Sequence, residues 1–148
     1  IYSQQAEAAG LAFTFAPRSE IDQVIVTDRY RLFQVVGNIL ENAIKYTETG
    51  SVTLDVALQN DADTMGDWLY VRVTDTGIGI DPEAMKRIFE PFFQVDGSYS
   101  RSYNGLGIGL AISKSIVDRL SGHLECESEP GKGSVFHLHI PIQIISGR

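Results

Sequence analysis

The sequence predicts a single α/β domain, and two observations carry that expectation. Apolar residues recur with a helical period in some stretches and alternate with polar residues in others, so helices and strands follow one another along the chain. At 148 residues with 43% hydrophobic content, the chain is long enough to bury one core and too short for two comfortable domains. It begins at Ile1 without a methionine, which reads as a fragment of something longer.

The elements follow in order. Residues 1–10 are polar with alanines and end at Gly10, as the tail of a helix does. Short strands are expected near Leu11 to Phe15 and near Gln23 to Val26. The clearest helix spans Arg29 to Tyr46, with Thr27 or Asp28 to cap its first turn. Leu32, Val36, Ile39, Leu40 and Ala43 gather on one side of it, while Asn38, Asn42 and Lys45 fall within about 60° of each other on another.

Val52, Leu54, Val56 and Leu58 alternate with polar or small residues, which predicts a half-buried strand. In the next strand Leu69, Val71 and Val73 share a face, and the alternation puts Asp75 on that same inward face. Residues 81–88 read as a short helix with Pro82 in its first turn. From Phe89 to Asn104 there is no period, and a loop of that length inside a small domain is usually functional. A second helix is expected from Gly107 to Leu120, ended by Gly122, with Ile108, Ile112, Ile116 and Leu120 as its buried stripe. Two strands close the domain, Leu124 to Glu127 and Ser134 to Ile140, joined by a tight turn at Pro130 to Gly133.

Composition excludes several classes. The net charge of -7 argues against non-specific nucleic-acid binding, which needs clustered Lys and Arg. The single Cys126 cannot form an internal disulfide. No apolar run approaches the ~20 residues of a membrane span.

Four short motifs in fixed order carry the chemistry: NILENAIKYT (Asn38 to Thr47), DTGIGI (Asp75 to Ile80), FEPFF (Phe89 to Phe93) and GLGIGLAI (Gly105 to Ile112). Asn42 offers an amide oxygen to a hard cation, and Lys45 a point charge to a phosphate. Alone, that segment is equally a core helix showing amides to solvent. An inward carboxylate at Asp75 needs a donor, and a purine's exocyclic amine is one. Gly77 and Gly79 let backbone approach a flat base, although Asp and Gly also make ordinary turns. Gly105, Gly107 and Gly109 precede a helix and leave free N–H groups for phosphate oxygens. No P-loop Gly-Lys-Ser/Thr follows, and no strand immediately precedes as a dinucleotide fingerprint requires.

In order and wording, these motifs resemble the catalytic ATP-binding domain of sensor histidine kinases, within the wider family of gyrase, Hsp90 and MutL ATPases. The resemblance runs from DRYRLFQVVGNILENAIKYT through SEPGKGSVFHLHIP. It implies a two-layer α/β (α+β) sandwich: a mixed, mostly antiparallel sheet covered on one face by about three helices, with a mobile ATP lid. Residues 1–10 would end a linker from a dimerising, phosphoacceptor hairpin, 11–142 would be the catalytic domain, and 143–148 a C-terminal tail.

The resemblance also implies site residues. Asn38, Asn42, Lys45 and Tyr46 would lie on the helix that holds magnesium and phosphates, with Asn42 as the metal ligand. Asp75 would meet the adenine amino group, with Gly77 and Gly79 beside the base and Ile80 among the ATP contacts. Phe89, Phe92 and Phe93 would anchor the start of the lid, and Arg101 within it is a candidate γ-phosphate contact. Gly105, Gly107 and Gly109 would run along the phosphates, and Leu106, Ile108, Leu110 and Ser134 would join the ATP contacts. Asn38, Asn42, Lys45 and Arg101 are the catalytic candidates. Implied partners are Mg-ATP, the histidine-bearing domain of the parent protein and a response-regulator receiver domain, with dimerisation through the missing hairpin. Neither nucleic acid nor membrane contact is expected of this domain, whose location is expected to be cytoplasmic; a parent anchored in the inner membrane remains compatible.

Hydrolysing members resemble one another in carrying a glutamate four residues before the magnesium-binding asparagine. Here that place is Asn38, and an amide cannot take a proton from water at neutral pH. The expectation is therefore transfer of the γ-phosphate to a histidine on a separate domain. A regulatory nucleotide-binding module and a hydrolysing ATPase are the alternatives. None of His123, His137 or His139 has the sequence context of a phosphoacceptor; they read as sheet-surface residues, with a two-histidine metal site as the lesser reading. The lid ends Asn104-Gly105-Leu106-Gly107 where the family commonly has Gly-Gly-Thr-Gly, so Leu106 removes one hydroxyl donor to phosphate.

Overall fold

A computed structural model of the chain describes residues 1–17, 23–61, 63, 66–93 and 109–145. The implied two-layer sandwich is what forms. Its elements are α1 (Tyr2–Ala8), β1 (Ala12–Phe15), β2 (Val24–Val26), α2 (Arg29–Lys45), β3 (Ser51–Asp61), β4 (Gly66–Asp75), α3 (Pro82–Met85), α4 (Gly109–Arg119), β5 (His123–Glu129) and β6 (Gly133–Ile145). The described helices number four, and α1, the expected N-terminal helix tail, packs beside β1 and α2.

The six strands form one sheet in the order β1-β3-β4-β6-β2, with β5 also paired to β6. Only β1 and β3 run parallel among the described pairs. Strand β6 is long enough to serve two neighbours on one edge: its first half pairs with β5 and its end with β2.

Register separates the two faces. One carries the rows Leu54, Val73, Phe136, Cys126 and Val56, Val71, Leu138, Leu124, with Val52, Asp75 and Ser134 one step along. Against this face α2 buries Leu32, Val35, Ile39, Leu40 and Ala43. Each of the larger of these side chains, Leu32, Val35, Ile39 and Leu40, is worth roughly 1.5–3 kcal/mol when removed from water. Asp28 caps α2 by accepting from the Arg31 N–H at 3.1 Å. The other face carries Asp55, Arg72, His137, Glu125 and, in the next row, Ala57, Tyr70, His139, His123.

Four sequence expectations are corrected. Strand β3 is not simply half-buried, because Asp55 and Ala57 on the outer face are buried too; Arg72 pairs with Asp55 at 2.8 Å and covers it. The helix at 81–88 is a single turn, Pro82–Met85, capped by Asp81. The buried stripe of α4 is Ser113, Ile116 and Val117, while Ile112 is 38% exposed and Ile108 lies outside the described residues. An i+4 series drifts round a helix of 3.6 residues per turn, so the four isoleucine and leucine positions cannot all face the core. Finally, the left-handed residue that ends α4 is Ser121, at φ 61, and not Gly122. Gly122 is required for space: a Cβ there would run into the His139 carbonyl oxygen and lie 2.9 Å from the Ile140 Cδ1.

These two positions should respond oppositely to substitution. Ser121→Gly is expected to raise stability by about 1 kcal/mol by relieving the left-handed strain, whereas Gly122→Ala lowers it. Urea unfolding of both variants checks this, and a destabilised Ser121→Gly contradicts it.

Candidate functional site

The site begins where β4 ends. Asp75 is 7% exposed, at the edge of the core. Its Oδ1 accepts from the Gly77 N–H at 2.9 Å and from the Ser134 N–H at 3.3 Å. Its Oδ2 has no partner among the described residues. Burial pushes the Asp75 carboxyl above its ordinary range, and the two backbone hydrogen bonds pull it partly back. One oxygen is thus fixed by the protein, and the other is an acceptor awaiting a donor.

The loop after Asp75 is stitched to the C-terminal end of α2. The Ile78 N–H donates to the Tyr46 carbonyl at 3.1 Å. A Cβ on Gly77 would collide with that same carbonyl and lie 2.8 Å from the Thr47 Oγ1. Thr47 is itself buried and donates to the Ala43 carbonyl at 2.7 Å. From the other side the β5–β6 turn holds the loop. The Gly131 N–H donates to the Ile78 carbonyl at 2.8 Å, and the Ile80 N–H to the Ser128 Oγ at 2.8 Å. Ser128 also meets the Ser134 Oγ at 2.8 Å. Gly79 sits at φ 72 against the Glu129 carbonyl, where any side chain is excluded twice over, by conformation and by space.

Of the sequence-predicted residues, Tyr46, the C-cap of α2, meets the loop that carries Gly77, Gly79 and Ile80, and Asp75 is bonded to Gly77 and Ser134; Asn42 and Lys45 lie in the last turn of α2, just before Tyr46. Asn42 is half-buried and makes no side-chain hydrogen bond to another described residue. Lys45 is half-buried, with its Nζ 5.8 Å from the Tyr46 ring centre, and forms no ion pair with a described residue. Desolvation lowers its pKa, with Glu41 opposing that shift. A cation held partly out of water gains most from an anion.

Asn38 stands differently. Its Nδ2 donates to the Gly109 carbonyl at 3.2 Å and to the Ser113 Oγ at 3.1 Å, so its amide hydrogens are spent on α4. Phe89 and Phe93 pack against the core, and Arg87 lies 4.6 Å over the Phe93 ring. Phe92 does not join them: it is 74% exposed at φ 65. Gly109 and Leu110 open α4. Arg101, Gly105, Leu106, Gly107 and Ile108 lie outside the described residues.

The sequence reading missed Thr47, Ser113 and Ser128, whose roles come from partners at least four and up to 75 residues away. The three histidines lie on the outer face of the sheet, opposite Asp75. Tyr70 places its hydroxyl 2.6 Å from the His137 Nδ1 and its ring 4.7 Å from that of His139, and Trp68 stacks on His123. Among the described residues no group of three His, Cys, Asp or Glu is arranged to hold a metal.

The raised Asp75 pKa has a sign that can be tested. The folded state holds this proton more tightly than the unfolded state, so stability falls as pH rises from the ordinary carboxylate value through the folded one. At neutral pH the ionised carboxylate is a net cost. Asp75→Asn keeps the Oδ1 acceptor and is expected to melt no lower than wild type at pH 7; a clear drop contradicts this.

The chain matches the family model described as histidine kinase-, DNA gyrase B-, and HSP90-like ATPase over residues 27–144. It is 38% identical to the autoinducer 2 sensor kinase/phosphatase LuxQ of Vibrio vulnificus over 143 residues, 97% of this chain and 17% of that protein. It is 45% identical to the sensor histidine kinase RcsC of Escherichia coli over 115 residues, 78% of this chain and 12% of that protein. The chain thus spans less than a fifth of the length of either relative. The crystal structure of full-length ShkA in complex with AMPPNP matches at TM-score 0.82 and 31% identity, covering 98% of this chain and 28% of that one. The sandwich, the order of its motifs and these relatives agree: the chain belongs to the histidine kinase-, DNA gyrase B- and HSP90-like ATPase family, as an ATPase domain homologous to the catalytic domains of sensor kinases.

Proposed function

We propose that this domain binds ATP with magnesium and donates the γ-phosphoryl group to a histidine on a separate domain of its parent protein. The observation that carries the reading is the pairing of two half-sites across the Ile78–Tyr46 hydrogen bond. On one side lies an acceptor for a base amine at the edge of the core, Asp75 Oδ2; on the other lies a helix with Asn42 and Lys45 for a polyphosphate. ATP is the ligand with both ends.

The residues present fit a magnesium ion that keeps most of its shell on waters and phosphate oxygens. Asn42 would supply the amide oxygen, and the lack of a three-residue cage among the described residues suits an ion that arrives with its nucleotide. Bound there, the ion would neutralise phosphate charge. Lys45 would add a second positive charge, and α2 would hold both at fixed separation, so the chain's own contribution is positioning and electrostatics. The acceptor histidine's nitrogen forms a bond to the γ-phosphorus as the bond to the β,γ-bridging oxygen breaks, and ADP leaves with those electrons.

Transfer is favoured over hydrolysis by Asn38. It is no base, and its NH₂ is already engaged by Gly109 and Ser113. None of the chain's own histidines suits the acceptor role, since all three occupy the sheet face opposite Asp75. A separate domain must supply it, and a receiver domain would take the phosphoryl group onward. A cytoplasmic location goes with this reading because ATP is the substrate.

Incubation with γ-labelled ATP and a separate histidine-bearing hairpin is expected to put label on histidine; rapid release of free phosphate instead indicates an ATPase, and binding with neither outcome a regulatory module. Asp75→Asn is expected to abolish discrimination between ATP and GTP, because a partial donor replaces an acceptor at the amine; unchanged selectivity removes the assignment. Asn42→Ala is expected to lose the magnesium-dependent part of ATP affinity in calorimetry. Wild-type affinity that is equal with and without the metal counts against Asn42 as its ligand.

A further inference from the structure

Ser113 is 0% exposed, inside the buried stripe of α4 beside Ile116 and Val117. A hydroxyl there is costly unless it is hydrogen-bonded, and alanine would both propagate the helix better and bury no polar atom. The described partner that explains it is Asn38, whose Nδ2 lies 3.1 Å from the Ser113 Oγ. The same Nδ2 lies 3.2 Å from the Gly109 carbonyl, which can only accept, so the orientation of the amide is fixed. A Cβ on Gly109 would meet Asn38 at 3.8 Å, ordinary contact, so the two helices are already closely seated there.

From this geometry we infer that Ser113 is a positioning residue for the nucleotide site. It acts through Asn38, which bridges α2 to the first turn of α4 and fixes the two helices at one separation. Asn38 precedes Asn42 by one turn on a rigid helix, so anchoring Asn38 also sets where Asn42 and Lys45 stand relative to Gly109 and Leu110. A glutamate at position 38 could not make this bridge, since a carboxylate has no hydrogen to give the Gly109 carbonyl. The amide is therefore paired with a serine one turn into α4, and the two form a functional unit. The inference rests on the ATP reading for its consequence, but the bridge itself does not.

Two measurements on this chain separate the bridge from the ATP reading. In hydrogen exchange without nucleotide, Ser113→Ala and Asn38→Ala are each expected to speed exchange in the first turn of α4 beyond any global change. Unchanged local exchange overturns the inference whether or not ATP binds. In calorimetry with ATP and with adenosine as probes, Ser113→Ala is expected to weaken ATP about five-fold, the worth of one hydrogen bond, and Asn38→Ala, which loses two, by more. Adenosine affinity should hold within about two-fold, because Asp75 is untouched. The double variant should be little worse than Asn38→Ala alone. Equal losses for both ligands, unchanged ATP affinity, or additive losses in the double variant overturn the inference. Failure of wild type to bind ATP overturns the functional reading and leaves the exchange result to decide the bridge.

Discussion

The arrangement depends on one carboxylate held out of water. Asp75 ends a strand whose inward residues are core, and the register that buries Val71 and Val73 leaves it no other direction. Its Oδ1 ties three segments together, the end of β4, the turn at Gly77 and the start of β6 at Ser134. Burial disfavours its charge, and two backbone N–H groups offset only part of that cost. A fold that needed only stability would place an amide or an apolar residue there. An acceptor kept at the mouth of the core, with Oδ2 left over, makes sense as recognition of a donor that arrives from outside.

Around that carboxylate the loop has little freedom. Tyr46, Thr47, Ser128 and the β5–β6 turn hold residues 77–80 from both sides, and the glycines are demanded first by the protein's own backbone. A rigid recognition loop joined to a rigid helix is a way to keep base and phosphate contacts at a fixed distance, which is the preorganisation that phosphoryl transfer requires. Asn38 and Ser113 extend the same rigidity from α2 to α4.

Much of this was legible in the sequence, for physical reasons. The inward phase of Asp75 follows from strict alternation along β4, and a short polar cap ahead of an amphipathic run is expected at Thr27 or Asp28, of which the fold uses Asp28. What was illegible depends on contacts between distant segments. Nothing local distinguishes Ser113 from a surface serine, and the i+4 row through Ile112 is the more apolar, whereas the face of α4 that packs inward is Ser113, Ile116 and Val117. Ser121 rather than Gly122 takes the left-handed turn because Gly122 is needed against the His139 carbonyl, a neighbour that only the folded sheet supplies. The outer sheet face read as plain surface, whereas Asp55 is buried there with Arg72 paired to it, and Ala57 is buried beside its register partner Tyr70.

The central claim is that Asp75 Oδ2 recognises the amino group of a purine while α2 holds the phosphates. A crystal structure of this chain with magnesium and a non-hydrolysable ATP analogue tests it most directly. The account predicts the adenine amine within hydrogen-bond distance of Asp75 Oδ2, with the polyphosphate beside Asn42 and Lys45. A base bound away from Asp75, or phosphates remote from α2, would contradict it.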